Sequence, residues 1–271
     1  MSIEKERTSE RPKQRPHVRA DHGGREWFRE FFGEAYLRAY GRRNRREAAG
    51  EARIIEAAMG MIASGTYLDL CCGEGRHAVL LGERGYRIVG LDLSAPLLRA
   101  GRRSAARAGV SVEWVRADSR SIPFRGRFDG IYCWFTTFGY FQNRADDSLV
   151  LSEAAAALRQ GGVFLLEVLN REFLSRNRIE EKRIDGEDCY LISRMEFSPS
   201  ASIAITHKVI HFPRGPTREY RLSVRIYSRE QLRRMIASAG FRRIEFLDGI
   251  GPADGNGGSP PRRLRIRALA G

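Results

Sequence analysis

The sequence is short of lysine, of cysteine and of uninterrupted apolar stretches, and each shortage narrows what the chain can be. No apolar run approaches the roughly 18 residues that span a membrane, so no transmembrane helix is expected. The opening segment, MSIEKERTSERPKQRPHVR, lacks the apolar core of a secretory signal, and a cytoplasmic location is expected. The four cysteines, Cys71, Cys72, Cys133 and Cys189, form no Cys-x-x-Cys pair and no Cys/His cluster of zinc spacing. Neither a metal site nor a disulfide framework is expected, and they read as small buried hydrophobes. Of 47 basic residues only Lys5, Lys13, Lys182 and Lys208 are lysine. Arginine therefore carries the net charge of +14, and it is scattered through every segment. A positive field favours anionic partners. A dedicated nucleic-acid face, however, gathers its cations and interleaves aromatics, so the scatter reads as compositional bias.

What is present describes a globular protein: 271 residues, 42% hydrophobic and 10% aromatic, enough for one large domain with a sizeable core. Residues 1–22 are polar and charged and are expected to form a disordered basic tail. Residues 23–64 carry aromatics at helical spacing (Trp27, Phe28, Phe31, Phe32, Tyr36, Leu37, Tyr40) and then Ile54, Ile55, Ala58 and Met59. Two helices broken near Gly41 are expected there. From residue 65 to 271, short apolar strands alternate with amphipathic helices: strands near Tyr67–Cys71, Arg87–Leu91, Ser111–Arg116, Asp129–Phe135 and Val163–Leu169, with helices between them. That order implies an α/β fold with a parallel sheet covered on both faces. At about 172–227 the pattern changes to three strand-like runs, an antiparallel cap inserted into the α/β domain. A helix follows with Ser228 as N-cap and Gly240 as C-cap. Two last strands are joined by GIGPADGNGGSPP, expected to be a mobile loop.

The segment YLDLCCGEGRHAVLLGERGYRIVGLD, from Tyr67 to Asp92, reads as strand, glycine turn, helix, strand and terminal acid. This is a nucleoside-cofactor βαβ unit. Asp69, inside the first strand, is a poor neighbour for a pyrophosphate. It suits a cationic ligand, or it orders the glycine loop by accepting backbone N–H groups, or it caps the loop and touches no ligand. Asp118, in RADSRSIPF, either accepts an adenine amine with the Ser119 N–H beside it, or makes an Asx turn. Acid, glycine, acid and acid at the ends of successive parallel strands lie on the carboxyl edge of the sheet, where open α/β folds bind ligands.

With those segments in hand, the chain resembles the class I S-adenosylmethionine-dependent methyltransferases of small-molecule type. DLCCGEGRHA, GLDLS, ADSRSIPF, LRQGGVFLLEV and YSREQLRRMIASAGF carry the likeness, in order and spacing, over roughly residues 25–271. The resemblance implies a Rossmann-like seven-stranded sheet whose last strand runs antiparallel between the fifth and sixth. It implies S-adenosyl-L-methionine as cofactor and S-adenosyl-L-homocysteine as product. Gly73 and Gly75 would make room for the methionine part, with Cys71 and Leu93 in the same motifs. Asp92 would take the ribose, and Asp118 with Ser119 the adenine. Cys133, Trp134 and Phe135 would approach the sulfonium, where aromatic faces suit a cation; Phe138 and Phe141 read as core. Tyr36 or Tyr40 would reach the cofactor carboxylate, or both belong to a packing stripe. Arg76 would reach the same carboxylate or be solvated.

Methyl transfer to nitrogen needs only an unprotonated amine, whereas a hydroxyl acceptor wants a base. His77 reads as structural. His207 and His211 share one strand face, toward the pocket or toward solvent. Glu167 and Asn170 would line the pocket floor. No catalytic residue is assigned, and N-methylation of a small molecule is favoured over O-methylation. The absence of an Asn/Asp-Pro-Pro-Tyr/Phe motif after the fourth strand disfavours a nucleic-acid methyltransferase. That remains the alternative, along with a non-catalytic cofactor-binding protein.

Overall fold

A computed structural model describes residues 26–41, 45–248 and 260–271. The expected tail at 1–22 lies outside the described residues, as does the loop segment 249–259. Three helices open the described chain: α1 (Trp27–Phe31), α2 (Glu34–Tyr40) and α3 (Arg45–Met59). The alternating core follows as β1 (Thr66–Leu70), α4 (Arg76–Gly82), β2 (Arg87–Asp92), α5 (Ala95–Ala108), β3 (Glu113–Arg116), β4 (Phe128–Cys133), α6 (Arg144–Ala157) and β5 (Leu158–Leu169). Next come α7 (Arg171–Arg176) and four cap strands, β6 (Ile179–Asp185), β7 (Tyr190–Ser198), β8 (Ile203–His211) and β9 (Arg218–Arg225). The chain closes with α8 (Arg229–Ser238), β10 (Phe241–Phe246) and β11 (Arg263–Ala270).

The main sheet has seven strands in the order β10-β11-β5-β4-β1-β2-β3. β11 is antiparallel to both β5 and β10, and the remaining neighbours are parallel. Alternation along each strand divides the core between the two faces. Leu68, Leu70, Val89, Leu91 and Ile131 pack with α6 and α8. Tyr67, Ile88, Tyr132 and Leu165 pack with α3 and α4. The order reverses between β1 and β4, and their carboxyl ends open onto a crevice, the usual ligand position in such sheets.

Three boundaries depart from the sequence expectation. The aromatic stripe of the opening helices is interrupted at Phe32–Gly33, where Gly33 is extended (φ −128°, ψ −155°), so α1 and α2 are separate. β5 begins at Leu158, five residues early, because Gly161 (φ 74°) sits inside a strand irregularity rather than ending a turn. The cap has four strands, not three. β6 reads IEEKRID, whose charges hide a strand, and it is the edge of its sheet, where charged residues are common. The α8 N-cap is as expected, Ser228 and Gln231 forming a reciprocal capping box; the C-cap is Ala239, one residue before the expected Gly240, which follows with φ 98°.

The cap sheet, β6-β7-β8-β9, lies over the opening helices. Leu191, Ile210, Phe212 and Leu222 bury against Trp27, Phe31, Tyr36 and Tyr40. Arg38 on α2 pairs with Asp188 at the β6–β7 turn, and the Glu187 N–H donates to the Arg38 carbonyl (3.2 Å). Helices and cap thus form one roof over the sheet edge.

Candidate cofactor and acceptor site

The site begins where β1 ends. Cys71, Gly73 and Gly75 all take left-handed backbone (φ 61°, 59° and 67°), turning the chain into α4. Asp92, at the end of β2, holds this turn: one carboxylate oxygen accepts the Gly73 N–H at 2.8 Å and the other the Ser94 N–H at 2.8 Å. Burial pushes the Asp92 pKa up, and those N–H groups oppose the shift. The two glycines differ in purpose. Gly73 lines the cavity, and a Cβ there would meet nothing closer than Leu97 Cδ1 at 3.8 Å. Gly75 does not line it; its missing Cβ makes way for the Trp114 indole from β3. The same ring is 2.6 Å from a Cβ built on Gly101 and 3.0 Å from one on Gly90. Three glycines from three elements therefore close around one tryptophan behind the turn.

Asp69 is buried on the α3–α4 side of β1. Its Oδ2 completes no hydrogen bond with a described residue, although the Tyr132 hydroxyl acts on the carboxylate. Burial first, then the Asp92 charge, raise its pKa to about 8. Beside it, Arg76 in the first turn of α4 is mostly buried, and neither Nη1 nor Nη2 completes a hydrogen bond. Nη2 lies 2.8 Å from Glu51 Oε2 on α3. Glu51 also meets His77 Nε2 at 2.8 Å, and burial lowers the His77 pKa despite that partner. His77 is thus fixed in an ionic cluster. The cluster extends through Arg263 (3.7 Å from Glu51) to the fully buried Glu167, which takes Arg263 at 3.2 Å and Arg265 at 3.0 Å. Glu167 is not on the pocket floor. It accepts the Phe135 N–H (3.3 Å) and so supports the left-handed residues Phe135 and Thr136 (φ 67° and 61°). Asn170 likewise leaves the floor: it N-caps α7 and donates to the Pro261 carbonyl at 2.8 Å.

Asp118 and Ser119 line the cavity at the other end. The Asp118 carboxylate forms an Asx turn with the Arg120 N–H (2.9 Å) and takes the Arg120 guanidinium on both oxygens (3.1 and 2.8 Å). Arg120 holds its carboxyl below the usual range, against the effect of burial. The same guanidinium reaches Asp146 and Glu26, each at 3.3 Å, tying the start of α1 to this corner.

After β4, Trp134 and Phe135 line the cavity, whereas Cys133 is buried behind them. The Arg76 and Arg263 guanidinium carbons each stand 4.4 Å from the Phe135 ring centre. Phe138 is core, as expected, but Phe141 lines the cavity with Arg120 4.5 Å from its ring centre. Tyr36, Tyr40 and Leu93 also line it, and the Tyr36 and Tyr40 rings are 4.7 Å apart. His207 and His211 do not line it. On β8 the residues facing the cavity are Ala204, Thr206 and Lys208, so odd-numbered positions face away. The whole is one cavity of about 890 Å³, running from the sheet edge to the inner face of the cap. Arg263, Lys182 and Lys208 join the site through topology alone, with no local motif to announce them.

A model of the methyltransferase domain matches residues 68–162, from β1 to within β5. A dTDP-3-amino-3,6-dideoxy-alpha-D-glucopyranose N,N-dimethyltransferase of Streptomyces fradiae is 27% identical over 214 residues, covering 77% of this chain and 80% of that protein. Residues 68–162 match a methyltransferase domain, and the likenesses support a class I S-adenosylmethionine-dependent methyltransferase.

Other likenesses are shorter or more distant. A demethylmenaquinone methyltransferase of Thermus thermophilus is 39% identical over 98 residues; that stretch is 35% of this chain and under half (43%) of the Thermus protein. The sugar N-methyltransferase KedS8 from Streptoalloteichus superposes with a TM-score of 0.67 at 18% identity, covering 97% of this chain and 99% of that one. The CcbJ methyltransferase from Streptomyces caelestis superposes with a TM-score of 0.70 at 18% identity, covering 89% and 98%. At such identity these structures share the fold. Their coverage includes the roof as well as the sheet.

Proposed function

We propose that this methyltransferase moves the methyl group of S-adenosylmethionine to the amine nitrogen of a small molecule. The observation that carries the reading is the single cavity joining the sheet edge to the inner face of the cap. The residues at its sheet end fit a zwitterionic, sulfonium-bearing nucleoside. Arg76, with unsatisfied buried nitrogens, suits a carboxylate, and Asp69, with an unsatisfied buried oxygen, suits an ammonium. Asp92 at the β2 end suits the ribose hydroxyls, and Asp118 with Ser119 the adenine edge. Asp118 keeps Arg120 as a partner, so it would share its carboxylate. Cys71, Gly73 and Leu93 would shape the walls, with Tyr36 against the amino-acid end. Gly75 would serve indirectly, through Trp114. The aromatic faces of Trp134 and Phe135 favour a cation and exclude water.

The cofactor supplies an activated methyl on a good leaving group. The protein's share is to align the acceptor nitrogen and to keep water out. A preference for nitrogen follows from the roof: among the described residues, the cap strands bring no histidine to the cavity, and their carboxylate there, Glu180, is held by Arg262 at 2.7 Å. The amine would therefore arrive neutral and lose its proton to solvent after transfer.

The reading is tested by incubating the full chain with methyl-labelled cofactor and matched small amines and alcohols, with release of S-adenosylhomocysteine measured. Turnover confined to amines is expected. Turnover of alcohols alone, or cofactor that fails to bind, would overturn it.

A further inference from the structure

An amine acceptor needs a group that holds its nitrogen, and the strained turn after β4 bears on which group that is. Phe135 and Thr136 are consecutive non-glycine residues in left-handed backbone (φ 67° and 61°). For a β-branched residue such as Thr136 this is a true outlier, because its Cβ crowds the following carbonyl oxygen. Strain of this kind persists only where the surroundings over-determine it, and it gathers at functional sites. The turn is braced on both sides of Thr136. Ahead of it, the Phe135 N–H donates to the fully buried Glu167 at 3.3 Å. After it, the Thr137 hydroxyl donates to the Trp134 carbonyl at 3.3 Å and lies 3.1 Å from Cys133 Sγ. Phe138 is buried against Tyr227, and the Gly139 carbonyl accepts the Arg225 N–H of β9 at 2.7 Å.

Thr136 itself takes no part in the bracing. Among the described residues its hydroxyl has no hydrogen-bond partner, whereas its neighbour Thr137 is fully engaged. Thr136 is half-buried and lines the cavity. It lies midway between Cys133, the last residue of β4, and Gly139, which is tied to the cap strand β9. β4 is the neighbour of β1 across the switch point of the sheet. The turn therefore carries Thr136 from the sheet end of the cavity toward its cap end. A hydroxyl oxygen can accept a hydrogen bond from an amine N–H without taking the proton. The nitrogen lone pair stays free for the methyl carbon: the N–C bond forms as the C–S bond breaks, its electron pair goes to sulfur, and the surplus proton goes to solvent. A glycine would adopt this backbone without strain but would offer no such oxygen.

We infer that Thr136 contacts the methyl acceptor, its hydroxyl oxygen accepting a hydrogen bond from the amine that is methylated. This rests on the methyltransferase reading, and it can be tested without turnover. The probe is sinefungin, which carries an amine on carbon where S-adenosylmethionine carries its methyl on sulfur; S-adenosylhomocysteine carries neither. Both ligands are titrated by calorimetry into the full chain as wild type, Thr136→Val, Thr136→Ser and Thr136→Gly. Thr136→Val keeps the shape and removes the hydroxyl. Its affinity for sinefungin should fall about tenfold or more, as loss of a hydrogen bond to an amine that can be charged implies, while its affinity for S-adenosylhomocysteine stays that of wild type. Thr136→Ser keeps the hydroxyl and should bind both ligands as wild type does. Thr136→Gly removes hydroxyl and backbone strain together, so the same selective loss there separates a lost contact from a folding defect. Equal sinefungin affinity in wild type and Thr136→Val, or a parallel loss of both ligands in Thr136→Val and Thr136→Gly, overturns the contact and leaves the methyltransferase reading standing. Wild-type protein that binds neither ligand would instead remove the methyltransferase reading, and the contact with it.

Discussion

The two halves of the cavity are built in different ways. At the sheet edge, buried side chains and backbone hold one another: Asp92 accepts two N–H groups of the chain it borders, Glu167 accepts the Phe135 N–H, and Trp114 is lodged against three glycines. On the cap, the lining residues are side chains standing on a regular antiparallel sheet. A half fixed by backbone suits a ligand that never changes. A half decorated by side chains suits one that differs among relatives. The same contrast governs what substitutions should do.

The largest effect is expected at Glu167. It is fully buried between Arg263 and Arg265, and Glu167→Ala would strand both cations. A destabilisation of about 3–5 kcal/mol is expected, visible as a lower denaturant midpoint, while Lys182→Met should leave the midpoint nearly unmoved. A Glu167→Ala protein as stable as wild type would contradict the buried ionic frame. Next comes Gly75→Ala, which places a Cβ at positive φ against Trp114. A loss of about 1–3 kcal/mol is expected, partly restored by adding Trp114→Leu. If the second change restores nothing, the glycine answers to backbone conformation alone.

The smallest effect is a proton. Burial raises Asp69 to about 8. In the ligand-free protein, this group's contribution to stability is therefore fully present below about pH 4 and is lost as pH rises toward 8. A cation against the carboxylate favours its ionised form, so cofactor affinity should increase with pH up to about 8, and binding at pH 7 should release up to about one proton. Calorimetry in two buffers of different ionisation enthalpy measures this directly. Asp69→Asn should abolish the buffer dependence, and wild-type heats independent of buffer would count against an ammonium at Asp69.

The same contrast explains how far the sequence could be read. The sheet half was legible because each of its parts is local. A strand, a glycine turn and a terminal acid fall within 26 residues, and Ser228 and Gly240 bracket α8 on their own. The antiparallel final strand came from family likeness rather than from any pattern in RLRIRALA. The cap was read less well because β6 is an edge strand whose charged residues break the alternation. The misplaced residues share one cause. Glu167, Asn170 and Gly75 lie near the site in sequence, but their partners (Arg265, Pro261 and Trp114) come from segments 39 to 98 residues away. His207 and His211 were right in sharing a face, and only the register of β8 decides which face that is.

The division itself can be measured in one experiment: the affinity of S-adenosylmethionine for wild type, Asp92→Ala and Lys182→Met, by calorimetric titration. Asp92→Ala removes the acceptor of two backbone N–H bonds at the turn and should weaken binding about 100-fold or more, while Lys182→Met should match wild type. Equal affinity for wild type and Asp92→Ala, or an equal loss in both variants, would contradict a cavity divided between a backbone-fixed donor half and a side-chain acceptor half.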